Sequence, residues 1–220
     1  MYKTIKRVFD ILIAIVALVI CIPIFIPVML ILRFSGEGEV FYLQERVGYG
    51  NELFPIWKFA TMLKNSPSLG TGDVTVKNDP RVLPIGKFLR KSKINELPQI
   101  INVLNGSMSI VGARPLMPQS FNQYSDQVKA VIYQTPPGIT GIGSLIFRDE
   151  ESIIDKSAMD PRFFYENYIL PYKGNLEVWY QARKSLMLDM KIIFLTAWLI
   201  VFPKSDIVQK TFKGLPQRTF

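Results

Sequence analysis

Residues 11–32 read ILIAIVALVICIPIFIPVMLIL, 22 residues without a charged side chain. A straight helix of that length is about 33 Å long, enough to cross a hydrocarbon core of roughly 30 Å. Lys3, Lys6 and Arg7 precede the run and Arg33 follows it. Pro23 and Pro27 lie inside it. Each removes a backbone donor and crowds the preceding turn, so a break or strong bend is expected there. The arm before the break has about 12 residues, or about 18 Å, too short to cross. Two topologies fit: a re-entrant helix-break-helix that enters and leaves by one face, and a bent single-span anchor. Basic residues at both ends favour a common, cytoplasmic face. A secretory signal does not fit, because the run is long and no small-residue cleavage site follows it.

Working outward from this run, the next segments read as a small β-hairpin. Val40-Phe41-Tyr42-Leu43 and Leu53-Phe54-Pro55-Ile56-Trp57-Lys58-Phe59 are β-prone, and Gly48-Tyr49-Gly50-Asn51 between them is a turn signal. Residues 64–80 are rich in Asn, Ser, Pro, Gly, Thr and Asp and read as a loop, with Asn78-Asp79-Pro80 as a turn initiator. A short basic helix is expected over 86–91. Pro98 suits a helix start and Gly106 a helix stop, which places Asn95 and Glu96 at an N-terminus that favours anions. Residues 112–118 and 136–143 read as Pro/Gly loops. Residues 186–202, LMLDMKIIFLTAWLIVF, read as a helix whose apolar tail is too short to span and is buried or interfacial. The fold class is α+β and mainly helical, with the hairpin, the N-terminal membrane helix and interfacial amphipathic helices. Residues 1–34 form the membrane element, and 35–220 form one membrane-associated catalytic domain.

Composition removes many chemistries. The 220-residue chain has no histidine and one cysteine, Cys21. Ser-His-Asp and Cys-His devices, HExxH zinc sites and CxxC pairs are therefore excluded. Chemistry must rest on carboxylates, Lys, Arg, Tyr, Ser or a hard cation. The net charge of +8 fits either nucleic acid or an anionic membrane surface. No helix-turn-helix spacing or basic-aromatic strip stands out, so anionic lipids are the expected partner and nucleic acid is not.

The block at 93–115, KINELPQIINVLNGSMSIVGARP, carries the chemistry. Before it come Lys6-Arg7-x-x-Asp10, Lys58-Phe59, Asn78-Asp79-Pro80-Arg81 and Gly86-x-x-Leu89-Arg90. After it come Pro137-Gly138-Ile139-Thr140-Gly141 and Arg148. In this order, over roughly residues 3–200, the motifs resemble the bacterial sugar transferases, the monotopic phosphoglycosyl transferases. That family usually reads Asp-Glu-Leu-Pro-Gln where this chain reads Asn95-Glu96-Leu97-Pro98-Gln99. Its Val-Gly-Pro-Arg-Pro appears here with Ala113 in the third place, its Gln-Val-Asn-Gly as Ser144-Leu145-Ile146-Phe147, and its Ser-Pro break as Ile22-Pro23.

The resemblance implies transfer of a phosphosugar from a UDP-sugar to polyprenyl (undecaprenyl) phosphate. The products would be polyprenyl-diphosphate sugar and UMP, at the cytoplasmic face of a bacterial inner membrane, with residues 1–34 as a re-entrant helix that dips into one leaflet and breaks at its prolines. It implies Mg²⁺ held by Glu96 as second acid of the dyad, and catalytic positions at Asn95 and Glu96. Arg90, Arg114 and Arg148 would take substrate phosphates, since a guanidinium binds phosphate in a bidentate fork. Lys58, Asp79 and Arg81 are supporting candidates; Asp79 and Arg81 read equally well as a structural turn pair. A homo-oligomer is compatible with this reading.

Asn95 stands where the family places its nucleophilic Asp, and a neutral amide is a very poor nucleophile. Three accounts remain open. Glu96 or a carboxylate of Asp149-Glu150-Glu151 takes over, the lipid phosphate attacks directly, or the chain is a disabled lipid- or nucleotide-sugar-binding protein on the same fold.

Overall fold

The computed structural model describes residues 2–66, 79–203, 205 and 207–220, without the side chains of Glu151 and Gln209. Most of the expected 64–80 loop, including Asn78, lies outside the described residues. The chain divides into two compact units. One comprises residues 11–45 and 55–105; the other comprises 1–10, 46–54 and 106–220.

The structure is mainly helical, as expected. Helix α1 (Tyr2–Arg33) runs as one element through Pro23 and Pro27, so of the expected break or bend there is no break in the helix. Each proline removes only its own amide donor, and the remaining ladder carries the helix past both. Within the first unit, α1 buries a stripe of Ala14, Cys21, Phe25, Val28 and Leu32. These positions recur every three, four or seven residues and so share one face. The Phe25 ring meets that of Phe59 edge-on at 5.3 Å. The remaining faces leave Leu12, Val16, Val19, Ile20, Ile26 and Leu30 exposed. The helix is long and apolar enough to cross a membrane.

Strands β1 (Phe41–Val47) and β2 (Leu53–Phe59) form the expected hairpin. Its tip turns through Gly50 and Asn51, both at positive φ (66° and 64°). Glycine and asparagine tolerate that conformation best. Helix α2 (Pro84–Lys91) has proline in its first turn and its cations at its end. Gly86 lets α2 lie directly on the backbone, because a Cβ there would come within 2.2 Å of the Thr61 carbonyl oxygen. Helix α3 (Gln99–Asn105) stops at Gly106, whose φ is +91°.

In the second unit, residues 112–117 form the expected loop up to a helix that starts at Pro118, whereas 136–143, also expected to be a loop, contains regular structure. Strand β3 (Ser109–Val111) pairs in parallel with β4 (Gly138–Thr140), and α6 (Ile142–Ile146) follows. The glycines there serve close approach of backbones. A Cβ on Gly138 would lie 2.1 Å from the Gly112 amide nitrogen, and one on Gly112 would lie 2.5 Å from the Pro136 carbonyl oxygen. Between β3 and β4 lie α4 (Pro118–Asn122) and α5 (Asp126–Ile132). After α6 come α7 (Glu150–Lys156), α8 (Pro161–Phe164), a π-turn (Tyr165–Ile169), α9 (Leu170–Arg183), α10 (Leu186–Val201) and α11 (Ile207–Thr211). Leu176 and Tyr180 of α9 and Ile192, Leu195 and Leu199 of α10 form the centre of its core. The opposite side of α10 leaves Met187, Met190, Phe194, Ile200 and Val201 exposed.

Candidate active site

In the first unit, α2 ends at Lys91 and the chain turns sharply through Lys93 (φ +61°) into a single 3₁₀ turn, Ile94–Glu96. That turn packs against α2, which brings Arg90 of the helix to the turn holding Asn95 and Glu96. Arg90 is half-buried, and its Nη1 reaches the Met62 sulfur at 3.4 Å. Glu96 is half-buried. Asn95 is 9% exposed, and its Oδ1 has no hydrogen-bond partner among the described residues. Asn95 and Glu96 therefore stand ahead of α3 on its N-terminal side, in a turn of their own.

Helix α3, which follows the turn, is tied to β2 by a buried side-chain amide. Asn102 of α3 is 1% exposed. Its Oδ1 accepts the Trp57 amide at 2.9 Å, and its Nδ2 donates to the Pro55 carbonyl at 2.8 Å. One side-chain amide thus takes both hydrogen bonds that a neighbouring strand would have offered β2. Its only sequence signal was a polar residue inside QIINVLN. Lys58 is half-buried on β2 and donates to Gln44 Oε1 at 3.0 Å. Asp79 and Arg81 form a closed pair. The Asp79 carboxylate accepts from Arg81 N, Nε and Nη2, the last at 2.6 Å, and Arg81 Nη1 donates to the Ser66 carbonyl at 2.7 Å. Both are buried, and this geometry is that of a structural turn.

The other two arginines belong to the second unit. Arg114 follows β3 and is exposed. Its backbone is fixed by Tyr133, whose hydroxyl donates to the Arg114 carbonyl at 2.8 Å and accepts the Leu116 amide at 3.0 Å. Burial pushes that phenol's pKa well above its ordinary value, which keeps it a donor. Arg148 lies between α6 and α7 and is exposed. Of the acidic cluster, Asp149 is exposed at the start of α7, and Glu150 is held by Lys173.

The Lys6-Arg7-x-x-Asp10 motif also resolves into a definite arrangement in this unit. Lys6 donates to Asp189 Oδ2 at 2.9 Å and lies 3.7 Å from Asp10. Asp189 also accepts from the Tyr2 and Tyr180 hydroxyls, at 2.9 and 2.7 Å. Asp10 accepts from Ser109 Oγ and the Ile110 amide. All three charged groups are buried. Their place is to tie the start of α1 to α10 and β3, since paired, hydrogen-bonded charges are the kind that burial tolerates.

A magnesium ion needs hard oxygen ligands, one or two of them from protein, with phosphate and water completing its shell. The Glu96 carboxylate and the adjacent buried Oδ1 of Asn95 fit that donor set. No group of three or more His, Cys, Asp or Glu suited to a metal occurs among the described residues. A site here would therefore be completed by substrate.

A family model described as bacterial sugar transferase matches residues 1–203. The chain is similar to the exopolysaccharide production protein ExoY of Sinorhizobium fredii, at 33% identity over 87% of this chain and 83% of that protein. It is also similar to the undecaprenyl-phosphate galactose phosphotransferase of Salmonella typhimurium, at 31% identity over 90% of this chain and 41% of that one. The UDP-glucose:undecaprenyl-phosphate glucose-1-phosphate transferase of Escherichia coli is 33% identical over 89% of this chain and 40% of its own length. The chain thus spans most of the first relative and about four-tenths of the other two.

Proposed function

The chain belongs to the bacterial sugar transferase family, and from that premise we propose that it is a phosphoglycosyl transferase acting on a UDP-sugar and a polyprenyl phosphate. The products are polyprenyl-diphosphate sugar and UMP. The observation that carries the site assignment is the buried, unpartnered Oδ1 of Asn95 beside Glu96, on a turn packed against the helix that bears Arg90. The relatives' names are those of transferases, and they lend no support to a binding protein without turnover.

Phosphoryl transfer asks mainly for positioning and charge neutralisation. Arg90, on the helix packed against the turn, supplies a guanidinium fork for phosphate oxygens, and Arg114 and Arg148 of the second unit carry the same chemistry. Glu96, with Oδ1 of Asn95, would hold Mg²⁺, which when bound neutralises charge on the diphosphate. Asn95 positions rather than attacks, because an amide is a very poor nucleophile. In the reaction that follows, an oxygen of the acceptor phosphate attacks the β-phosphorus of the UDP-sugar. A new phosphoanhydride bond forms, the bond to the UMP oxygen breaks, and UMP leaves with the electron pair.

The membrane assignment rests on surface chemistry. Most of α1 presents apolar side chains outward, Phe34 just beyond it is 86% exposed, and Phe88 on α2 is 59% exposed between Lys87 and Lys91. An apolar ring flanked by lysines suits an interface with anionic lipid. We propose that α1 bends at Pro23 and Pro27 and brings both its ends to the cytoplasmic face, because Lys3 and Arg7 stand at one end and Arg33 at the other. Cysteine labelling near residues 8 and 34 in intact cells tests this topology, and labelling from opposite sides overturns it.

The reaction is tested by UMP release from protein in nanodiscs supplied with Mg²⁺, a UDP-sugar panel and polyprenyl phosphate. Release should require the lipid. Glu96→Ala and Arg90→Ala should each reduce it roughly 100-fold or more, the cost of removing a charge-stabilising group. Unchanged turnover in Glu96→Ala sinks the assignment of Glu96. A stoichiometric burst without lipid would replace direct attack by a covalent route.

A further inference from the structure

The matched family region ends at residue 203, yet the chain beyond it is built into the core of its unit. Val208 and Phe212 of α11 are buried, and the Phe212 ring lies 6.1 Å from Trp179. The Tyr172 hydroxyl donates to the Pro216 carbonyl at 3.0 Å. The Phe220 ring packs edge-on against Phe164 and Tyr172, at 5.4 and 5.9 Å. This segment closes one wall of a cavity of about 690 Å³, and α6, α7, Tyr172 of α9 and the end of α10 provide the rest. That volume is in the range of small-molecule sites.

The lining has two chemical halves. Leu145, Ile153, Tyr172, Leu199, Phe212 and Leu215 form an apolar part. Arg148, Lys156 and Arg218 form a cationic part, with Asp149 as the one acid in the lining. Three cations against one carboxylate leave an excess of two positive charges. Arg148 and Lys156 are exposed and make no ion pair among the described residues. The Arg218 guanidinium sits 4.5 Å over the Phe220 ring, which holds it in place without cancelling its charge. Exposed Ile200, Val201 and Phe202 lie between lining residues Leu199 and Pro203 in the chain, so the cavity adjoins an apolar surface.

A solvated basic surface would explain the cations alone. It would not explain why a segment outside the matched region folds back to enclose them with an apolar floor. We propose that this cavity binds the head of a phosphate-bearing lipid. The phosphate lies among Arg148, Lys156 and Arg218, and the first carbons of the chain lie along Leu145, Leu199 and Phe212. Such a lipid could be a membrane phospholipid or the polyprenyl phosphate acceptor. The chemistry recognised is the same, and the experiment separates the two.

The test uses the full chain in an uncharged detergent, titrated by calorimetry with dioctanoyl phosphatidate, a short polyprenyl phosphate and inorganic phosphate, all without UDP-sugar. Binding is thus read whether or not the protein turns over. Arg218→Glu and Leu215→Asp are compared with the milder Arg218→Gln, and near-parental melting of the last guards against a folding failure. At least one lipid should bind tenfold or more tighter than inorganic phosphate, and Arg218→Gln should weaken it several-fold. Phosphatidate binding marks a membrane-lipid site, whereas binding of polyprenyl phosphate alone marks the acceptor as occupant. Equal binding of inorganic phosphate and lipids, or binding unchanged in all three variants, overturns the proposal.

Discussion

Glu177 of α9 is a buried carboxyl whose ionisation the fold opposes. Its Oε1 accepts the Gly143 amide, and its Oε2 has no hydrogen-bond partner among the described residues. Burial raises its pKa from the ordinary 4.5 to about 7, against smaller lowering effects of the Gly143 hydrogen bond and the Lys173 charge. The folded state therefore keeps a proton that the unfolded chain has already released. Stability from this group is full below about pH 4.5 and is lost as pH rises toward about 7. Each tenfold change in proton affinity is worth about 1.4 kcal/mol, so the loss across pH 5–8 is roughly 2–3 kcal/mol. For a chain of this size that is a fall in Tm of roughly 4–12 °C. Glutamine keeps the acceptor for Gly143 and cannot ionise. Melting of Glu177→Gln and parent, both in the same detergent at pH 5 and 8, isolates the effect as a difference of two slopes. Parallel slopes would refute the reasoning.

Three further outcomes follow from named contacts. Asp189→Ala removes the acceptor for Lys6, Tyr2 and Tyr180 and should cost about 3 kcal/mol, because Asp10 at 3.7 Å still faces the buried ammonium; a Tm within 2 °C of the parent, against the expected drop of roughly 6 °C or more, would contradict it. Gly86→Ala places a methyl 2.2 Å from the Thr61 carbonyl oxygen and should destabilise by about 1–3 kcal/mol while lowering UMP release, since α2 carries Arg90; parental melting and turnover would show that α2 can shift freely. Asn95→Asp introduces a carboxylate at the turn and should produce a burst of UMP in the absence of lipid, with a phosphosugar-protein seen by mass spectrometry; absence of both would place the attacking group elsewhere.

What the sequence made legible was local. The hairpin was marked by β-prone runs on either side of Gly48-Tyr49-Gly50-Asn51, and α10 by an apolar run of helical length. Gly106 marked the end of α3 because a positive φ is needed there. The features that were missed depend on partners far along the chain. The β3–β4 ladder joins Ser109 to Gly138, each strand has only three residues, and β4 falls among the prolines and glycines of 136–143 that read as a loop. Asp189 looked like an isolated acid in LMLDMKIIFL until Lys6, 183 positions earlier, was placed on it. Glu177 gave no signal, since its burial arises from the packing of α9 against α5 and α6. The prolines of α1 predicted a break or a bend, and the helix shows no break. The site turn was legible in type, through Asn95 and Glu96. The contacts that fix the neighbouring helices, Asn102 of α3 on β2 and Gly86 of α2 on Thr61, required the fold.

The central claim is that a phosphosugar moves, and not a sugar alone. Incubating the protein in nanodiscs with polyprenyl phosphate and a UDP-sugar labelled with ³²P at the β-phosphate tests this directly. The account predicts that the label passes to the lipid fraction while unlabelled UMP accumulates. Label retained on released UDP, or no lipid-linked label with any donor in the panel, would contradict it.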